Sequence, residues 1–405
     1  MRSSLFFLAA LCLESIAALP QKASSNPISS TQHAKVDTRA NTYQDHAEAA
    51  LDRLQQWYNH DTGLWKSYNP SWWQSANALT TLVDMVQTGS PKAKKVADTV
   101  IPNTFQAAGA FNVREGHRLK RAAAAAAEDN KVEEKKNPYS NGYYDDMGWW
   151  AMAWIKAYDV TGNKTYLATA EALFADMTTG WGTNCSAGGM WWDKKHTHID
   201  PIADTLFLEV AAWLANRVPA DKKSHYADWA VRAWDGFRRS PMYVSGEGEH
   251  YVTAGISVKT CRLGKNPHGY TYSNGALVSG LVALSIATGN RDYLQEAHLI
   301  AHTIMKIMSK DGVLREPNID QAHPGQAAPQ FKGVFMRGLM RLHAADPRPE
   351  YRDFAQRCAD SIWDKNRQGD AELGPDWNGP FHGPANASPH SSAMDGIVAA
   401  WRMTK

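Results

Sequence analysis

Cysteine is scarce, with four in 405 residues. A chain this long buries roughly three quarters of its unfolded surface, so its core needs no covalent staples. Charge of one sign is missing too. Lys plus Arg number 43 and Asp plus Glu 41, a formal net charge of +2. That balance argues against a general polyanion binder and so against nucleic acid as a partner. No Gly-rich phosphate loop and no nucleophilic-serine elbow stands out. Long apolar runs are absent except for one near the start, and that one is too short to span a bilayer. What the chain does have is aromatic side chains: 16 Trp, 15 Tyr and 11 Phe. Such a supply suits a core, and it also suits a site that stacks on flat ligands.

The apolar run Leu5-Phe6-Phe7-Leu8-Ala9-Ala10-Leu11-Cys12-Leu13 follows Arg2 and precedes the small residues Ser15, Ala17 and Ala18. This pattern predicts a signal peptide over 1–18. Residues 19–41 are rich in Ser, Pro, Gln and Thr and are expected to be a disordered arm, with a single domain over 42–405. The end of the chain, Ala399 to Lys405, carries no hydrophobic tail of the lipid-anchor kind. A secreted protein with no membrane anchor is expected, as a monomer. Three sequons, at Asn163, Asn184 and Asn386, agree with secretion. Once Cys12 leaves with the signal peptide, Cys185, Cys261 and Cys358 remain. The first two lie in loop-like sequence and are expected to pair. Cys358 lies in helical sequence and is expected to stay free and buried.

The fold is legible in a repeat. Thr161-Gly162-Asn163-Lys164-Thr165-Tyr166-Leu167 recurs as Thr288-Gly289-Asn290-Arg291-Asp292-Tyr293-Leu294, with a weaker copy at Thr88-Gly89-Ser90-Pro91. In each, Gly ends one helix and a polar residue caps the next. The helix before a stop is apolar almost all round, as in Met147 to Tyr158 and Asn274 to Ala287. The helix after it is apolar on one face. About twelve helices are predicted, at roughly 42–59, 72–88, 91–108, 146–160, 163–179, 201–217, 221–239, 274–287, 290–309, 332–345, 349–366 and 391–402. Six hairpins with buried inner and amphipathic outer members imply an all-α (α/α)6 barrel. A helical solenoid is the alternative. An inserted exposed loop or short helix is expected at about 112–137, around Arg118-Leu119-Lys120-Arg121 and the alanines that follow. The basic tetrad reads as a solvated surface segment or as a processing site.

The chemistry concentrates at Asn141-Gly142-Tyr143-Tyr144-Asp145-Asp146-Met147-Gly148-Trp149-Trp150, where a buried helix begins. One Asp there could simply cap the helix. Two adjacent carboxylates also suit glycoside hydrolysis, which needs one ionised and one protonated carboxyl group. Neighbouring Cα atoms lie ~3.8 Å apart. Their carboxyl groups can then reach the ~5–5.5 Å of a retaining enzyme. Mutual repulsion helps keep one of them protonated.

The run Tyr144 to Trp154 resembles the signature of glycoside hydrolase family 76, the α-1,6-mannanases. The resemblance continues in order through Gly188-Gly189-Met190-Trp191-Trp192-Asp193, Thr271-Tyr272-Ser273-Asn274-Gly275 and Phe331-Lys332-Gly333-Val334-Phe335-Met336-Arg337. It implies an (α/α)6 barrel that cleaves α-1,6-mannosidic bonds with retention and without a metal or other cofactor. It implies Asp145 as nucleophile and Asp146 as acid/base. The chain departs from the family pattern at Ser273 and Asn274, at Ile199-Asp200-Pro201, at Asp204-Thr205-Leu206-Phe207 and at Ala254-Gly255. Candidate substrate contacts are Tyr143, Tyr144, Trp191, Trp192, Asp200, Asp204, Tyr272, Asn274 and Lys332. Arg337 reads either as a mouth residue or as surface, and Trp149 either as a platform or as core. His196-Thr197-His198 is read as a polar rim loop rather than a metal site. The expected partner is α-1,6-mannan or a related mannose glycan, met outside the cell or at its wall. The alternatives are a wall transglycosidase and a mannan-binding protein without turnover.

Overall fold

The computed structural model describes residues 38–67, 72–124, 137–185, 188–264, 269–316 and 328–405, with 117–124 as backbone only. The expected signal peptide and most of the expected arm lie outside these residues. At 38–41, where the arm was to continue, the chain is already helical.

Twelve α-helices are described: α1 (Thr38–Gln55), α2 (Trp72–Thr88), α3 (Pro91–Ala124), α4 (Tyr144–Thr161), α5 (Lys164–Met177), α6 (Pro201–Ala215), α7 (Ala220–Phe237), α8 (Thr271–Thr288), α9 (Asp292–Ile307), α10 (Phe331–Ala345), α11 (Pro349–Lys365) and α12 (Ala387–Thr404). The even-numbered helices each pack on the next, and α12 packs back on α2, so six helices close an inner ring. The odd-numbered helices lie outside. This is the (α/α)6 barrel. The layering follows from composition. Along α8 every residue is buried except Tyr272, Ile286 and Thr288. Along α11 the buried set is Tyr351, Phe354, Ala355, Cys358, Ala359, Ser361 and Ile362, a single stripe. The repeated stops work as the sequence implies. Gly162 and Gly289 take φ of 68° and 76°, and Asn163 accepts from the Thr165 N–H to cap α5.

One hairpin is discontinuous in sequence. Five form between consecutive helices, while α1 packs on α12, so the two ends of the domain make the sixth. α3 also differs from expectation. It passes through Pro102 and runs to Ala124, so the first part of the expected insert is helix, continuous with α3 rather than a separate short one. Alanine-rich sequence with no breaker after Gly116 sustains it. The basic tetrad lies on that helix, and residues 125–136 lie outside the described set.

Charges are buried on the ring axis. Lys156 pairs with Asp84 at 2.6 Å, Arg337 with Asp395 at 3.0 Å and Arg341 with Glu209 at 2.5 Å. Each pair joins two inner helices, and each buried ion has its counter-ion. At the C-terminal end of the ring lies a cavity of about 470 Å³ lined by residues of all six inner helices, including Lys156, Trp213, Arg341 and Arg402. Its cations face the carbonyl ends of those helices, where positive charge is favoured. The catalytic candidates lie at the opposite end.

Candidate active site

The first turns of the inner helices supply the site. Asp145 and Asp146 stand in the first turn of α4. The N-cap of α4 is Tyr143, which makes no side-chain capping bond, so neither carboxylate serves as the N-cap. Both are half-buried, and the Oδ1 of Asp145 is fully buried without a hydrogen-bond partner. Asn141 Nδ2 donates to Asp146 Oδ2 at 2.6 Å, and the Trp192 side chain donates to Asp145. Burial pushes the Asp145 carboxyl well above the usual range, and the Asp146 charge adds to this, with a further push from Asp200. Burial also raises Asp146, to about 6, against the Asn141 bond that lowers it. Both carboxyls therefore bind a proton more tightly than an ordinary aspartate, and Asp145 is the one pushed by its neighbour's charge.

The loop 188–200 is stitched onto this helix start. Tyr144 N–H donates to Trp192 O at 2.9 Å and Lys194 N–H to Gly142 O at 2.9 Å. Asp193 accepts from the Lys195 and Thr197 backbones and fixes the turn that follows. Asp200 caps α6 by accepting from Ile202 N–H at 3.1 Å. Burial raises its carboxyl too, against that backbone bond and the nearby His198. Beside the acids, four aromatic rings from four helices close a ring of contacts. Tyr272 of α8 stacks on Phe331 of α10 at 3.8 Å, and Trp149 of α4 lies 6.4 Å from Tyr272. Trp73 of α2 lies 5.8 Å from Trp149 and 6.3 Å from Phe331. Burial, then Asp200 and Asp145, hold the Tyr272 phenol well above its usual value, so it stays a proton donor.

The structure brings Tyr143, Trp192, Asp200 and Tyr272 to the pair. Tyr143 is exposed, and its ring lies 4.8 Å from Trp192. The other expected contacts need correction. Tyr144 is buried under Gly180, with its hydroxyl bonded to Thr179 at 3.0 Å. Trp191 is buried, donates to Gly182 O and stacks on His196 at 4.6 Å, so its face is occupied. Asp204 is buried and accepts from Met190 N–H, anchoring the loop from beneath. Asn274 is fully buried and clamps the backbone of Val252 at both N–H and C=O. Lys332 is fully buried, donating to Pro375 O over the Trp377 ring. Arg337 is in the core with Asp395, not at the mouth or the surface. All of these except Tyr144 and Trp191 are polar side chains whose sequence neighbourhood suggested the mouth. Their bonding groups came from segments distant in sequence, which a linear reading does not place.

Asn141, Trp73 and Phe331 were not singled out as site residues. Trp73 and Phe331 occupy first-turn positions of inner helices, the same positions that hold Asp145 and Tyr272, and that regularity was the available signal. Cys185 and Cys261 are disulfide-bonded, with Cα atoms 5.2 Å apart, and tie the 183–185 segment to the 256–263 loop. Cys358 is free and buried, and burial raises its thiol to about 12. Asn163 and Asn184 are exposed. Asn386 caps α12 and Ser388 of its sequon is fully buried, so the folded chain does not present that sequon.

The family model for glycosyl hydrolase family 76 matches residues 42–404. The mannan endo-1,6-alpha-mannosidase of Candida glabrata is 23% identical over 214 residues, which cover 48% of this chain and 45% of that protein. Its Saccharomyces cerevisiae counterpart is 22% identical over 221 residues, covering 48% and 45%. The chain thus spans about half the length of the curated relatives it matches. An inactive variant of a Salegentibacter alpha-1,6-mannanase has two consecutive aspartates changed to asparagine and was solved with alpha-1,6-mannotriose. It superposes with a TM-score of 0.70 at 19% identity, covering 89% of this chain and 99% of that one. A Chaetomium thermophilum protein in complex with glucosamine superposes with a TM-score of 0.72 at 18% identity, covering 92% and 93%. At these identities the likeness establishes the fold.

Proposed function

The chain belongs to glycosyl hydrolase family 76 over residues 42–404, and from that premise we propose that it is a secreted, retaining endo-α-1,6-mannanase. The observation that carries this is the adjacent Asp145–Asp146 pair, half-buried in the first turn of α4 at the mouth and not serving as its N-cap. The ionised Asp145 attacks the anomeric carbon. The C1–O bond breaks, and Asp146 gives its proton to the leaving oxygen. Asp146 then takes a proton from water, the water attacks C1, and Asp145 is released as carboxylate. Tyr143 and Trp192 offer ring faces to the sugars, and Asp200 and Tyr272 offer an acceptor and a donor. The Salegentibacter mannanase, inactive when two consecutive aspartates are changed together, supports an aspartate pair as the reacting groups. The Cys185–Cys261 bridge supports an oxidising compartment.

A second reading is a transglycosidase of mannose-containing glycans, in which a sugar hydroxyl replaces the attacking water. The amino sugar held by the Chaetomium neighbour favours it. Incubation with unbranched α-1,6-mannan separates the readings. A hydrolase releases new reducing ends whose first-formed anomer, by proton NMR, is α. A transferase gives products joined to an added acceptor with no net gain of ends. A mannan-binding protein does neither. On an activated aryl mannoside, Asp145→Asn is expected to be inactive, while Asp146→Asn should form mannosyl azide when azide is added. Azide rescue of Asp145→Asn alone, with retained configuration, would reverse the roles. Near-normal cleavage of mannan by both variants would remove the pair from catalysis.

A further inference from the structure

Asn141 stands outside the helix yet touches the pair, and its orientation is not free. Its Oδ1 accepts from the Tyr143 N–H at 2.9 Å, closing a turn just ahead of α4. An amide whose oxygen is committed to a backbone N–H presents its NH₂ on the other side, and that NH₂ lies 2.6 Å from Asp146 Oδ2. Asp146 therefore always faces a donor. A donor stabilises the carboxylate form of its partner. Asp145 differs: the Trp192 side chain and the Asp146 N–H donate to it, yet its Oδ1 is buried with no hydrogen-bond partner. A buried oxygen without a donor is a poor place for negative charge and a suitable place for a proton.

We propose that Asn141 is a positioning residue that keeps Asp146 the anion of the empty site, so that the pair's single proton rests on Asp145 until substrate arrives. This rests on the pair being the reacting groups. The attacking group is then protonated at rest, and the catalytic arrangement requires the proton to change hands. The unpartnered Oδ1 provides the trigger. A sugar hydroxyl that donates to it stabilises Asp145 as carboxylate, and the proton passes to Asp146, ready for the leaving oxygen. No proton enters or leaves the pair in this exchange.

Other ionisable groups around the pair do not oppose this arrangement. Asp200 at the start of α6 acts on Asp145, with His198 beside Asp200. From α8, the phenol of Tyr272 is coupled to Asp145 and Asp200, and Tyr270 and Glu316 stand behind it. The negative charge of Asp200 adds to the reasons for Asp145, rather than Asp146, to be neutral.

The test reads the proton directly. The full chain, labelled with carboxyl-¹³C aspartate, is titrated empty and with a thio-linked α-1,6-mannobiose that resists cleavage. In the empty wild-type protein Asp145 should hold its proton to higher pH than Asp146. With the thio-sugar at saturation the order should reverse. Asn141→Asp keeps an oxygen for the Tyr143 N–H but loses the NH₂, and Asn141→Ala loses both. Asn141→Ala should raise the Asp146 midpoint by about one pH unit, the size expected for losing one hydrogen bond to a charged group, and Asn141→Asp, which also places a like charge beside Asp146, should raise it further. The acid limb of kcat/KM should move with it. An Asn141→Asp protein that titrates like wild type would show that only the turn matters and would overturn the proposal. So would an empty site in which Asp146 keeps the proton longer, or a saturated site in which the order is unchanged. Because the empty-site titration needs no turnover, a protein that titrates as stated but leaves mannan intact refutes the mannanase reading and not the role of Asn141.

Discussion

Asp146 illustrates how a site residue strains the fold that holds it. Burial raises its carboxyl from about 3.8 to about 6. A carboxyl that binds its proton more tightly when folded favours folding below the unfolded value. That advantage disappears as pH rises through the folded value. Above pH 6 the native state thus carries a charge the unfolded chain carries more easily. The full shift corresponds to about 3 kcal/mol, and solvent reaching the half-buried group reduces it to about 1–2 kcal/mol. Asp146→Asn removes the charge and keeps an oxygen for the Asn141 amide. It should therefore unfold at higher temperature than wild type at pH 8, by a few degrees. The difference should vanish near pH 4. Calorimetry at the two pH values measures it, and a variant equally stable or weaker at pH 8 would mean that Asp146 is solvated in the native state.

Elements meet here at distances that side chains decide. α8 and α10 approach so closely that a Cβ placed on Gly275 would lie 2.4 Å from the Phe335 Cα, with Gly338 facing Gly275 from the other helix. Backbone cannot yield as a flexible side chain can. Gly275→Ala should therefore destabilise the protein by about 3 kcal/mol, the upper end for overpacked cores. Gly142→Ala, where a Cβ meets nothing within 4 Å, should be neutral. Urea unfolding midpoints compare the two, and similar midpoints would mean that the helices can separate at no cost. The same pairing holds Tyr272 against Phe331 at the mouth. The glycine thus sets the site's geometry although it never touches substrate.

At the scale of the whole ring, closure depends on two helices at opposite ends of the sequence. α1, which packs on α12, buries Tyr43, Leu51 and Leu54, and the ring N–H of the buried His390 donates to Ala50 O at 2.8 Å. Burial holds that imidazole neutral, at about 4. Three such side chains at roughly 2 kcal/mol each are comparable with the roughly 5–15 kcal/mol that holds an ordinary domain together. Removing residues 1–55 should therefore abolish cooperative unfolding and expose apolar surface to a dye such as ANS. A sharp transition in the shortened chain would show that α1 is dispensable.

The sequence by itself determined the helices, their alternation and the place of the acids. Those features rest on local physics: Gly and Asn at each stop, apolar character all round or on one face, and two carboxylates at a helix start. It also located the bridge, since Cys185 and Cys261 lie in loops and Cys358 on a helix. Only the tertiary structure decided which polar residues reach the mouth. Asn274, Lys332 and Arg337 are satisfied by Val252, Pro375 and Asp395, which lie 22, 43 and 58 residues away along the chain. A buried polar group takes whichever partner folding brings to it, and that choice is made across the ring rather than along the chain.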